Sequence, residues 1–158
     1  MRRAIKVNRG EGQYMARVRI FGEYRHNIDA KKRLALPSKI RDCMSETMIL
    51  VSSLFAPCIA LYPMEEWEKF EERLDGLSQT DGVEARREIY SKMAEVQCDA
   101  QGRILIPQNL CDIAGLERNV VIAGAGAYAE IWDAGRWDED HRIDKKPIIL
   151  EKLDKANF

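Results

Sequence analysis

The chain has 158 residues, 46% of them hydrophobic and 32% charged, with a formal net charge of −1. That profile is an ordinary globular one with enough apolar material for a real core, which excludes fibrous, disordered and disulfide-stapled classes. No apolar run approaches the roughly 18 residues of a membrane span, and no apolar stretch follows the basic start to make a signal peptide, so a cytoplasmic protein is expected.

The charge is unevenly spread. Residues 1–41 hold twelve Lys and Arg against three acids, while the acids gather downstream, many of them between Glu65 and Asp75. This asymmetry fits a basic binding face opposite an acidic, solvated one. It equally fits a basic tail followed by a charged helix.

In chain order, residues 1–15 read as a flexible basic arm with Gly10 and Gly12 and no periodicity. From Ala16 to Tyr24 apolar positions alternate with Arg17 and Arg19, the pattern of a half-buried strand. A polar turn at Ala30-Lys31-Lys32 leads into a short strand, Arg33 to Leu36. Pro37 ends it and opens a single helical turn that runs to Asp42. Met48–Val51 and Ile59–Tyr62 are apolar strands separated by a turn around Pro57. After Pro63, Trp67, Phe70 and Leu74 recur at helical spacing until Gly76. A second helix is predicted from about Val83 to Val96, which makes a helical hairpin. Met93–Cys98 approaches Asp99, and a Gln101-Gly102 turn, Ile104–Ile106, Pro107 and a short helix ending at Gly115 follow. Asn119–Ala123 and Ala129–Trp132 are strands split by the Gly124-Ala125-Gly126 turn. The stretch from Trp137 is charged and partly helical, with Pro147 interrupting it.

This plan repeats. Shifted by 70 positions without a gap, Asp29-Ala30-Lys31-Lys32-Arg33-Leu34-Ala35-Leu36-Pro37 falls on Asp99-Ala100-Gln101-Gly102-Arg103-Ile104-Leu105-Ile106-Pro107. The same shift lays Asp42 on Asp112, Val51 on Val121, Tyr62 on Trp132 and Trp67 on Trp137. The chain is an internal duplication. The expected fold class is α+β: two small β-barrel repeats in a pseudo-two-fold pair with a helical hairpin between them. Repeat one spans 20–67, the helical connection 68–92, repeat two 93–139 and a tail 140–158.

Cys43, Cys58, Cys98 and Cys111 form no C-x-x-C pair and no metal-like spacing. Three of them stand where the other copy has Ile113, Tyr128 and Ile28, so they behave as small apolar side chains, reduced and inert.

The polar feature common to both copies is Asp-x-x-x-Arg at a strand–turn–strand corner. Asp29 and Asp99 can orient the turns by pairing with Arg33 and Arg103. The turns can also push those arginines into solvent, where the planar fork grips phosphate or a guanine edge. Lys31, Lys32, Lys39 and Arg41 favour the second role in copy one. Copy two has Gln101, Asn109 and Cys111 at three of those places and is far less basic. An enzyme is hard to build from this chain. Its only histidines, His26 and His141, have no repeat partners and no nucleophile motif. The Glu cluster at 65–72 suits the wet face of a helix, and Gly124-Ala125-Gly126 opens no helix as a phosphate loop would. No catalytic residue, metal site or cofactor is assigned. Trp67 and Trp137 suit core or subunit-contact anchors.

These residues also resemble a known family. Phe21-Gly22-Glu23-Tyr24, the segment Ile28 to Arg41, Leu61-Tyr62-Pro63 and Trp67 are similar to the first repeat of the MraZ family. Asp99 to Pro107, Ala114-Gly115-Leu116 and Glu130-Ile131-Trp132 are similar to its second. Each repeat resembles the SpoVT/AbrB swapped-hairpin unit. The resemblance implies a bacterial transcriptional regulator, usually a repressor, that binds short repeats in double-stranded DNA upstream of the division and cell-wall gene cluster. It further implies a ring-shaped homo-oligomer associated with the nucleoid, with no membrane and no small-molecule substrate involved. Carried over residue by residue, Arg33 and then Arg103 are the DNA-binding positions, with Lys31, Lys32, Lys39 and Arg41 in support. Lys32 departs from the family, which usually has Gly before the first-repeat arginine; the departure predicts a differently shaped first turn. The residues before Met15 are a second departure. The competing reading is an AbrB-type, antitoxin-like module that holds another protein and reads no operator.

Overall fold

A computed structural model describes residues 18–158. The arm assigned to residues 1–15 lies outside the described residues, as do Ala16 and Arg17 of the first expected strand. The first copy contains β1 (Glu23–Asn27), β2 (Arg33–Ala35), α1 (Ser38–Arg41), β3 (Thr47–Ser52) and β4 (Ile59–Pro63). The helical hairpin is α2 (Met64–Asp75) and α3 (Gln79–Tyr90). The second copy contains β5 (Met93–Gln97), β6 (Arg103–Leu105), α4 (Gln108–Ala114), β7 (Asn119–Gly124) and β8 (Ala129–Asp133). Helices α5 (Ala134–Asp140) and α6 (Lys146–Lys155) complete the chain. No described helix is long and apolar enough to cross a membrane.

Four boundaries differ from the sequence expectation. Gly22 at φ 99° breaks the alternation that starts at Ala16, so β1 begins at Glu23 and Ile20 makes only an isolated bridge to Gly126. Helix α3 starts earlier than Val83 because Ser78 caps it, its hydroxyl oxygen accepting the Asp81 N–H at 3.0 Å. The helix stops at Tyr90, and Met93–Val96 instead pairs with β3. Pro147 lies in the first turn of α6 and opens that helix, where its missing N–H costs nothing.

The two copies are interleaved. Six antiparallel strands form one sheet in the order β1-β7-β8-β4-β3-β5, and β2 pairs with β6 in a separate ribbon. Each copy's first strand therefore lies beside the other copy's third strand: β1 on β7, and β5 on β3. The sheet is open, ending at β1 and β5, and no closed barrel is seen among the described residues. Two cross-strand pairs, Leu34–Ile104 and Ala60–Glu130, each join residues 70 positions apart. A pseudo-two-fold axis runs through both pairs.

The register also corrects the ungapped match. Ile49 pairs with Tyr62 and Glu95, whereas Val121 pairs with Trp132 and Arg25. Val121 is thus the counterpart of Ile49, not of Val51. From the start of α4 to the start of β7 the second copy has two more residues than the first copy has from α1 to β3, because α4 is longer than α1; its β7–β8 turn is two residues shorter than the Ser53–Cys58 loop, which restores the shift of 70.

Both faces of the sheet are covered, which is why its central strands read as continuous apolar runs. Met48, Leu50, Ile59, Leu61, Val120, Ile122 and Ile131 point to one face, against the ribbon and α1 and α4. Ile49, Val51, Ala60 and Tyr62 point to the other, against the hairpin through Trp67, Leu74 and Ile89. Trp132 meets Trp137 of α5 on that second side. The aromatic pairs Tyr62–Trp67 and Trp132–Trp137 are edge-on at 5.3 and 5.4 Å inside the chain. Glu65, Glu68 and Glu72 of α2 lie on its exposed face. All four cysteines are free, with three buried and Cys98 half-buried. Burial pushes the Cys58 thiol far up, and the nearby Glu130 charge adds to this.

Candidate nucleic-acid interface

Each Asp-x-x-x-Arg corner is built on its aspartate. Asp29 Oδ1 accepts the backbone N–H groups of Lys31 and Arg33 at 2.9 and 2.8 Å, and Asp29 Oδ2 accepts Arg33 Nε–H at 2.7 Å. Asp99 does the same for Gln101 and Arg103, at 2.9, 2.9 and 2.8 Å. A short carboxylate can accept donors two and four residues ahead on one oxygen and the arginine Nε–H on the other. These bonds hold both carboxylates below their ordinary range, the Arg33 and Arg103 backbone N–H groups being the largest cause.

Lys32 does not reshape its turn. It adopts φ 64°, and Gly102 at the same place adopts φ 75°. The backbone bonds match as well: Lys32 and Gly102 each donate to the aspartate carbonyl at 3.0 Å. The cross-ties to the opposite copy match too, Leu36 N–H donating to Gly102 O at 3.0 Å and Ile106 N–H to Lys32 O at 2.9 Å. The aspartate network and cross-tie outweigh the roughly 1–2 kcal/mol that a side chain costs in this backbone region.

The ribbon brings the two arginines together. Arg33 stands opposite Leu105 and Arg103 opposite Ala35, while Leu34 and Ile104 between them point inward with no exposure. Arg33 and Arg103 thus occupy diagonal positions on the outer face, roughly 7–8 Å apart for such sites. Their side chains are 34% and 27% exposed, and each is tied to its aspartate through Nε. Among the described residues neither guanidinium uses its Nη groups in a hydrogen bond. A fork held at its root loses less freedom on gripping a phosphate or a guanine edge.

The other candidates fall in different places. Lys31 is exposed beside Arg33 in the first turn, and Lys39 is exposed on α1. Arg41 does not join the first turn. Its guanidinium lies over Gly102, where a Cβ would collide with Nη1, and Nη1 donates to Leu36 O at 3.3 Å. The second turn is therefore less bare than its own residues suggest. Sequence reasoning passed over Arg118, which lines a depression beside the first turn with Asn27, Asp29 and Lys32. Its carbonyl accepts Ile28 N–H at 2.8 Å, a contact between copies with no local signature. His141 stacks on Trp137 at 3.8 Å, away from either turn.

The family model described as "MraZ protein, putative antitoxin-like" matches residues 20–88 and 89–146, one match per copy. "Transcriptional regulator MraZ" of Acetivibrio thermocellus is 45% identical over 120 residues, covering 75% of this chain and 83% of that protein. The protein of the same name in Heliobacterium modesticaldum is 42% identical over 120 residues, with the same shares. That of Clostridium tetani is 41% identical over 142 residues, 87% of this chain and 98% of its own. Two matched segments, one holding each copy, together with relatives at this identity, establish that the chain belongs to the MraZ family.

Proposed function

We propose that this chain is a sequence-specific, double-stranded-DNA-binding transcriptional regulator that represses a bacterial division and cell-wall gene cluster by binding short upstream repeats. On this reading it works in the cytoplasm on the nucleoid as a ring-shaped oligomer of SpoVT/AbrB-type hairpin units. The observation that carries the reading is the pair of aspartate-locked arginines on one outer ribbon face. The printed name of the relatives, transcriptional regulator, supports the same class. Arg33 and Arg103 read guanine edges, and Lys31, Lys32, Lys39 and Arg41 neutralise phosphates. One such face is small, so a ring that presents several copies to spaced repeats raises effective concentration without new contacts. The reading requires no catalytic chemistry.

A gel shift with duplex DNA from immediately upstream of the chain's own coding sequence tests it. Retardation of that duplex over a scrambled one, with affinity falling steeply as salt rises, is the expected result. Light scattering at micromolar concentration should give several times the 18.2 kDa chain mass. Equal binding of both duplexes, or a flat salt dependence, overturns the operator-reading mechanism, and a clean monomer overturns the ring. A stable protein partner recovered with no shift of either duplex favours the antitoxin-like alternative.

A further inference from the structure

Beside the exchange of Lys31 for Gln101, the two turns differ at two places whose differences are paired. The left-handed residue is Lys32 in the first turn and Gly102 in the second. The position over each turn comes from the other copy's helix: α4 supplies Cys111 near Lys32, and α1 supplies Arg41 on Gly102. Arg41 and Cys111 are themselves 70-position counterparts. Where the turn has its own cation, the residue above it is small and neutral; where the turn has no side chain, the residue above it is an arginine. Two thiols register the same arrangement. Burial raises Cys111 while the Lys32 charge opposes it, and burial raises Cys98 beside Asp99 while the Arg41 charge opposes it. Arg41 stays exposed in this seat.

We infer that Arg41 is the phosphate-binding cation of the second turn, acting with Arg103, while Lys32 fills that role for Arg33. The left-handed corner beside each reading arginine then has its own phosphate-gripping cation, delivered by the turn itself in one copy and across the chain in the other, with Lys31 as an additional cation beside Arg33. This rests on the DNA-binding reading above. It goes beyond that reading by assigning Arg41 to the half of the face to which its sequence neighbourhood does not point.

The test is a double-mutant cycle on the upstream duplex, read as affinity across a series of salt concentrations. Arg33→Lys and Arg103→Lys serve as partners because they keep binding measurable. Arg41→Ala should weaken binding about ten- to a hundredfold, the worth of a single charge-assisted hydrogen bond to phosphate. It should also flatten the log affinity against log salt slope by about 0.9 for each phosphate no longer neutralised. Its effect should be non-additive with Arg103→Lys and additive with Arg33→Lys. The paired exchange Arg41→Cys with Gly102→Lys, which gives the second turn the chemistry of the first, should retain the parent slope. An unchanged slope in Arg41→Ala, or coupling to Arg33, overturns the inference and leaves the DNA-binding reading standing. A parent protein that shifts no duplex at any salt overturns both.

Discussion

Leu34 and Ile104, 70 positions apart, face each other across the β2–β6 ribbon, and neither has any exposed surface. The pseudo-two-fold axis passes between them, so the residues just before them, Arg33 and Arg103, must emerge on the same outer face. The placement of the candidate DNA-reading pair is thus set by two buried aliphatic side chains. The sheet's own symmetric pair, Ala60–Glu130, fixes the same axis from the other side of the core.

Arg33→Ala should abolish discrimination between the upstream duplex and a scrambled one while leaving the particle mass unchanged. The expected loss is about 1–3 kcal/mol per engaged chain, the worth of one bidentate base contact. Arg103→Ala should cost less, because Lys31 and Lys32 flank Arg33 directly whereas Arg103 has only the borrowed Arg41. Fluorescence anisotropy with both duplexes measures this, and equal losses would mean that the two turns meet DNA alike.

The two turn aspartates should make the fold sensitive to acid. Their carboxylates sit below the unfolded value of 3.8 in the folded chain, held there first by the Arg33 and Arg103 backbone N–H groups. A lowered folded pKa contributes stability that is complete above the unfolded value and is lost as pH falls through the folded one. Urea unfolding from pH 5 down to about pH 2 should therefore show a decline that is smaller in the Asp29→Asn, Asp99→Asn double variant. An identical decline in parent and variant would show that the turns do not couple to folding.

Lys32→Gly should stabilise the chain by up to about 1 kcal/mol in urea unfolding, because glycine carries no penalty at φ 64°. The same variant should bind the upstream duplex more weakly, having lost a cation. A destabilised Lys32→Gly would mean that the lysine stem contributes packing that outweighs its backbone strain.

Trp67→Ala should cost about 3–5 kcal/mol, since the indole is 2% exposed and packs against both Tyr62 and Phe70. Chemical denaturation with far-ultraviolet circular dichroism is the measurement. A loss under 1 kcal/mol would place this cluster outside the cooperative core.

Legibility in the sequence follows how local each cause is. Pro37 and Pro107 mark the starts of α1 and α4, and the Asp-x-x-x-Arg turns fall at the expected corners because each is closed by bonds over four residues. The early start of α3 is hidden because Ser78, a polar residue after Gly76, reads as loop until its bond to Asp81 is seen. Propensity alone weighs against Lys32 in a left-handed turn. The cross-tie from Ile106 that holds it comes from the other copy and leaves no mark nearby. The interleaving is out of reach for the same reason, since an apolar strand such as Val120–Ala123 does not state which neighbour it will take. Yet the exchange of Lys32 for Gly102 alongside Cys111 for Arg41 is present in the aligned copies, as two differences whose connection only the fold supplies.

Interleaving also has a consequence during synthesis. Arg25 of β1 pairs with Val121 of β7, so the first described strand has no partner in the sheet until most of the chain has been translated. At about 5–20 residues per second that wait is roughly 5–20 s. Over about half of it β3, buried on both faces in the finished sheet, has an uncovered flank until β5 arrives. The nascent first copy is thus an apolar hairpin with open edges, able to pair with a neighbouring nascent chain on the same message. Any strand exchange with a neighbouring nascent chain would have to occur in that interval, before the second copy closes the open edges.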